Sequence, residues 1–121
     1  MNVFDASALL AYLRGETGSD TVREQLEHGG VCGAANWAEI AQKVRASGAD
    51  WNMARGLLLS YDLTIEPVTT ADAEAAALLW RAGEGLSLGD RLCLALAARV
   101  GATAWTCDAQ WDGRPGVTLI R

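Results

Sequence analysis

A chain of 121 residues, half of them hydrophobic and 21% charged, is long enough to bury one core and too short for two, so a single domain over 1–121 is expected. Fifteen acidic against ten basic residues give a net charge of −5, which excludes the basic footprint of a general nucleic-acid binder and leaves any such contact to a local patch or a metal. No apolar run approaches the roughly 18 residues of a membrane span, and the amino terminus lacks a signal-peptide pattern, so a cytoplasmic protein without a membrane role is expected. Cys32, Cys93 and Cys107 are odd in number and show no CxxC spacing, so they read as reduced core thiols.

Residues 1–4 are a short apolar run ending at Asp5, a buried strand with a carboxylate at its carboxyl end. Residues 7–14, SALLAYLR, form a helix stopped by Gly15. A more polar helix over 19–27 precedes a Gly-Gly break and a second strand at 31–33. Residues 35–46 place Trp37, Ile40, Ala41 and Val44 at helical spacing, with Glu39 beside that stripe. Asp50 caps a helix reaching Tyr61, and 63–68 is a β-rich run whose Pro67 favours an edge or a strand end. Thr69 or Thr70 opens a helix over 71–81, closed by Gly83 and Gly85.

The stretch 86–100, LSLGDRLCLALAARV, organises the rest. Ser87 and Asp90 have the spacing of a capping box, and the apolar run after them leaves no polar face, so this helix is expected to run through the interior with Asp90 at its mouth. Arg91 stands in the first turn, where the helix dipole disfavours a cation, and is expected to answer a negative charge of protein or ligand. Gly101 ends the helix, 104–106 are a buried strand ending near Asp108, and 117–120 are a last strand. Strands alternating with helices imply an α/β three-layer sandwich, a central parallel sheet flanked by helices.

In such sheets ligands bind outside the carboxyl ends of the strands, where Asp5 and Asp108 fall, and Asp90 and Glu39 lie on helices that open nearby. Each acid has an ordinary explanation: Asp5 and Asp90 as caps, Glu39 as a partner of Lys43, Asp108 as a turn residue. Together they fall at one end of one sheet. Two carboxylates about 4 Å apart repel by roughly 4 kcal/mol at an effective dielectric of 20, so a convergent set needs a counter-charge. Clustered hard oxygen ligands suit Mg²⁺ or Mn²⁺. His28, the only histidine, ends a surface helix and reads as structural, while Ser7, Thr106 and Asn36 suit the orientation of carboxylates better than nucleophilic attack. Trp105 and Trp111, flanking Asp108, read as packing residues.

These segments resemble the PIN-domain ribonucleases of the VapC toxin type: VFDASALLAYL around Asp5, ANWAEIAQKV around Glu39, LSLGDRLCLALA around Asp90 and TCDAQW around Asp108. The resemblance covers nearly the whole length and implies a PIN-like fold and a Mg²⁺- or Mn²⁺-dependent endoribonuclease toxin that cuts structured RNA. It further implies inhibition by a cognate antitoxin and a homodimer. By that resemblance Asp5, Glu39, Asp90 and Asp108 are the catalytic, metal-binding acids, Ser7 and Thr106 are supporting hydroxyls, and Asp112 is close enough to contribute. Arg14, Lys43, Arg91 and Arg114 are candidates for RNA contact, with Arg91 on a phosphate. Two rivals stand beside this reading: an Asp-phosphoacceptor or phosphohydrolase domain, which normally needs a second acid beside Asp5 and a lysine near the last strand, and a non-catalytic module whose acidic edge receives a basic partner segment.

Overall fold

Val3 and Phe4 are neighbours in the first strand and point to opposite sides of the sheet, and Val31 and Cys32 do the same in the second; this period of two sorts the core into two halves. The computed structural model describes residues 1–120. Its five strands are β1 (Asn2–Phe4), β2 (Gly30–Gly33), β3 (Leu63–Glu66), β4 (Thr103–Thr106) and β5 (Val117–Leu119), in the order β3-β2-β1-β4-β5. Every pairing is parallel, with Val3 opposite Val31 and Ala104, and Ala104 opposite Val117. The expected parallel sandwich is the observed fold.

On one face lie α1 (Ala6–Arg14), α2 (Ser19–Glu27), α3 (Ala34–Ala46) and α4 (Trp51–Leu59). They close Phe4 and Cys32 under Leu9, Val22, Leu26, Ile40 and Leu58. On the other face α6 (Leu88–Val100), backed by α5 (Thr70–Leu78), covers Val3, Val31 and Ala104 with Cys93, Leu96 and Ala97. The chain crosses closely over itself at Gly30, where a Cβ would lie 2.6 Å from the Asn2 carbonyl oxygen and 2.9 Å from the Phe4 ring, so only glycine fits. Trp111, in the single 3₁₀ turn Ala109–Trp111, is fully buried under the second face, and Trp105 is half-buried, in accord with their reading as packing residues.

Local signals fix the helix ends. Asp5 caps α1 by accepting from the Ala8 N–H, and Gly15 closes it at φ 63°. At α6, Ser87 and Asp90 form a reciprocal capping box, and Gly101 closes the helix at φ 66°. Pro67 follows β3 directly, and β3 is an edge strand, as a residue without an N–H requires.

Two expectations need correction. The helix expected over 71–81 ends at Leu78, because the Ala76 carbonyl of its last turn is taken by the Arg91 guanidinium at 2.9 Å and the Leu79 N–H tightens onto Ala75, Ala76 and Ala77. The helix over 86–100 is not interior all round: Ala98 and Arg99 are exposed, and Arg99 pairs across the outer surface with Asp72 at 2.7 Å. Among the described residues no helix is long and apolar enough to cross a membrane.

Candidate active site

From β1 the chain steps outward through β2 to β3, then returns to lay β4 and β5 on the other side of β1. The order reverses between β1 and β4, and the crevice at the carboxyl ends of two such strands is the ligand position of open parallel sheets. Asp5 follows β1 and Asp108 follows β4.

Asp5 is 3% exposed. One oxygen accepts from the Ala8 N–H at 2.8 Å, the Ser7 hydroxyl donates across both oxygens at 2.8 and 2.9 Å, and the Thr106 hydroxyl donates at 2.5 Å. Burial pushes the carboxyl up to about 6 and the charge of Asp90 adds to the rise, against the hydrogen bonds from Thr106, Ala8 and Ser7. The same hydroxyls accept from the next turn of chain, Ser7 from the Cys107 N–H at 2.9 Å and Thr106 from the Asp108 N–H at 3.0 Å. Ser7 and Thr106 therefore tie α1 to the end of β4 through one carboxylate.

The other three acids each give one oxygen to a local donor. Asp90 accepts from the Ser87 N–H at 3.0 Å, Asp108 from the Gln110 N–H at 2.9 Å, and Glu39 from the Lys43 ammonium at 3.0 Å. Among the described residues their second oxygens, Asp90 Oδ1, Asp108 Oδ2 and Glu39 Oε1, accept no protein hydrogen bond. Glu39 Oε1 faces the first turn of α6, 3.6 Å from where a Cβ on Gly89 would stand. The structure thus brings Asp90 within electrostatic reach of Asp5 and Glu39 beside the residue preceding Asp90. It does not gather the acids into one shell: among the described residues no three Asp, Glu, His or Cys side chains converge closely enough to share an ion. Asp112 is exposed at the end of the 3₁₀ turn.

The floor of the site is neutral. Cys32 on β2 and Cys93 on α6 are buried, and burial, reinforced by the charge of Asp5, pushes both thiols far up, so they stay protonated. Asn36, buried in α3, donates to the Gly89 carbonyl at 3.3 Å, while its own Oδ1 is buried without a partner among the described residues. It links the helix of Glu39 to the helix of Asp90.

Two of the basic candidates turn elsewhere. Arg91 reaches inward to Ala76, because a carbonyl at the end of α5 is the anion-like group its turn faces, and Arg114 forms an ion pair with Glu84. Glu84 and the buried Asp72, which caps α5 and pairs with Arg99, carried no signal in the sequence beyond the Thr69-to-Asp72 box spacing.

A parallel sandwich with a desolvated aspartate at its switch point and the charge of a second acid, Asp90, acting on it defines a class of acid-edged α/β domain. The family is specific: the PIN domain model matches residues 3–116, and the chain belongs to the PIN domain family. In solved structures the fold is similar to a toxin-antitoxin complex from Klebsiella pneumoniae, at 21% identity and TM-score 0.77, covering 98% of this chain and 96% of that one. It is also similar to VapC20 of Mycobacterium tuberculosis, described as a sarcin-ricin loop cleaving toxin, at 19% identity and TM-score 0.71, covering 90% and 91%. VapBC2 from Rickettsia felis, bound to a DNA fragment from its promoter, matches at 17% identity and TM-score 0.71, covering 98% and 96%. No curated protein matches the sequence.

Proposed function

We propose that this PIN domain is a Mg²⁺- or Mn²⁺-dependent endoribonuclease toxin that cuts structured RNA and is inhibited by a cognate antitoxin. The observation that carries the reading is Asp5, a buried carboxylate held at the switch point with the charge of Asp90 set against it. A pair of that kind is held at a cost in stability unless a cation offsets it. The donor chemistry fits such a cation, since the oxygens left open on Glu39, Asp90 and Asp108 are hard carboxylate ligands. Asp5, Glu39, Asp90 and Asp108 are the acids that would hold it, which would require the open oxygens to turn together, since among the described residues no three of the acids converge as placed. The chemistry such an ion would supply is activation of a water and relief of negative charge at a phosphodiester.

The chain's own groups then have defined tasks. Thr106 and Ser7 fix the Asp5 carboxylate so that it stays aimed out of the sheet. The Ser87 box fixes Asp90, and Asn36 holds the first turn of α6 against α3. Cys32 and Cys93 wall the floor with uncharged atoms and exclude water behind Asp5.

Structured RNA is proposed as substrate because VapC20 carries that description, and an antitoxin partner because two of the similar structures are toxin-antitoxin assemblies. A homodimer in the cytoplasm belongs to the same reading. The phosphoacceptor alternative is less well supported, since Asp5 is followed by Ala6 and Ser7 with no second acid beside it and the only lysine, Lys43, pairs with Glu39 far from the last strand. The test is incubation of purified, antitoxin-free protein with total cellular RNA in Mg²⁺, in EDTA, and as Asp90→Asn. Cleavage confined to the first condition is expected. Cleavage that persists in EDTA or in the variant overturns the reading.

A further inference from the structure

Beside the acids, between α1 and α3, a cavity of about 320 Å³ is lined by Ser7, Leu10, Arg14, Glu16, Lys43 and Cys107. Its inner end is Ser7, the residue whose hydroxyl holds Asp5. Its outer rim carries two cations, Arg14 at the end of α1 and Lys43 near the end of α3. We infer that this cavity seats the nucleotide next to the cleaved bond, with its phosphate on Arg14 and Lys43; the inference rests on the nuclease reading above and adds where the RNA lies.

In a chain of net charge −5, most cations near the rest of the surface are already committed. Arg23 pairs with Asp20, Arg81 and Arg114 with Glu84, and Arg99 with Asp72 and Glu66, while Arg91 is spent on the Ala76 carbonyl. Arg14, Arg45 and Arg55 have no ion-pair partner among the described residues, but of these only Arg14 lines this cavity, and Lys43 is held there by Glu39 in an exposed pair, the kind that a phosphate readily displaces. Two cations thus line one hollow, and that hollow reaches Ser7, the residue whose hydroxyl holds Asp5.

The volume of the cavity lies at the lower end of sites that hold a small organic group, enough for one nucleotide and too small for a folded loop. Leu10 gives it an apolar wall for a base or ribose, and the rim is cationic apart from Glu16. A single strand threading such a cleft is held through its backbone without a sequence code. Glu16 opposes phosphate on its own side, so the phosphate is held toward Arg14 and Lys43.

The test uses the full chain carrying Asp90→Asn as the binding background, with a fluorescent single-stranded RNA oligonucleotide as probe and anisotropy read across a salt series. Arg14→Gln with Lys43→Gln is expected to weaken binding roughly tenfold and to lower the slope of log affinity against log salt by about 0.7, the share of the one phosphate the two cations hold. Arg55→Gln, on α4 away from the cavity, is the control and leaves the slope unchanged. In the otherwise native protein, the double substitution raises KM for RNA cleavage more than it lowers kcat. An unchanged salt slope in a double variant that still cleaves RNA overturns the inference and leaves the nuclease reading standing. Native protein that neither binds nor cuts RNA overturns both. Lost antitoxin binding with intact RNA binding assigns the cavity to a protein partner and also overturns it.

Discussion

At the amino ends of the strands, Asn2 donates to Gln25 and Gly29 and accepts from the Trp105 indole at 2.9 Å, every contact neutral and every one paired. At the carboxyl ends, Asp5 is equally well hydrogen-bonded, yet it carries a charge that burial and Asp90 both oppose. The amino end has the larger hollow, about 520 Å³ bordered by Asn2, His28, Asp62 and Thr64, larger than the one beside the acids. The contrast teaches that size does not mark the chemistry of this fold. The end that holds a buried charge is the one at the switch point of the sheet, where the proposed function places the reaction.

The largest expected contrast between the two ends is in cleavage. Asp90→Asn should lower the rate by at least about 100-fold, beyond the 10–100-fold typical of an outer-shell partner, whereas Asn2→Ala should cleave at the native rate per folded molecule. Equal losses at both ends would erase the contrast.

Next in size is a pH effect confined to Asp5. Its carboxyl lies near 6 in the folded chain against an ordinary 3.8, so between those values the folded state binds more protons than the unfolded. The contribution of this group to stability is therefore greatest below about pH 4, declines as pH rises to about 6, and stays lost above. Thermal unfolding in EDTA, compared between native protein and Asp5→Asn, should show a stability gap that changes by on the order of 3 kcal/mol between pH 4 and 7. Parallel curves would remove the desolvated charge from the account.

Thr106→Val sharpens the comparison within the reactive end. It takes one donor from Asp5 and the acceptor from the Asp108 N–H, and should cost about 10- to 100-fold in Mn²⁺ affinity by titration. The smallest effect belongs to the amino end, where Asn2→Ala leaves the Trp105 N–H and two carbonyls unpaired and should lower stability by roughly 1–3 kcal/mol in denaturant unfolding.

Much of this was legible in the sequence because the signals are local. Alternation in β1 and β2, the Ser87-to-Asp90 box, Gly15 and Gly101 as helix stops, and Pro67 at a strand end each depend on a few neighbouring residues. Strand-end positions likewise set Asp5 and Asp108 beside the switch point. What was not legible is set by partners far along the chain. Arg91 reads as a phosphate ligand until the Ala76 carbonyl, fifteen residues earlier, is seen within 2.9 Å of it. Arg114 reads as free until Glu84 folds against it. The engagement of one oxygen each on Glu39, Asp90 and Asp108 follows the local roles the sequence suggested, a partner for Lys43, half of a capping box and a turn residue, whereas the direction of each second oxygen is a matter of rotamers.

The bond from Thr106 to Asp5 spans 101 positions of sequence, and β1 sits in the middle of a sheet whose later neighbour is β4. A ribosome that has made everything through α6 has already made Asp5, Glu39 and Asp90, but the first of them still lacks the strand that orients it. Assembly of the acid edge is therefore among the last events of folding, since such distant pairings close slowly. Until β4 docks, Asp5 lacks the Thr106 hydroxyl that orients it.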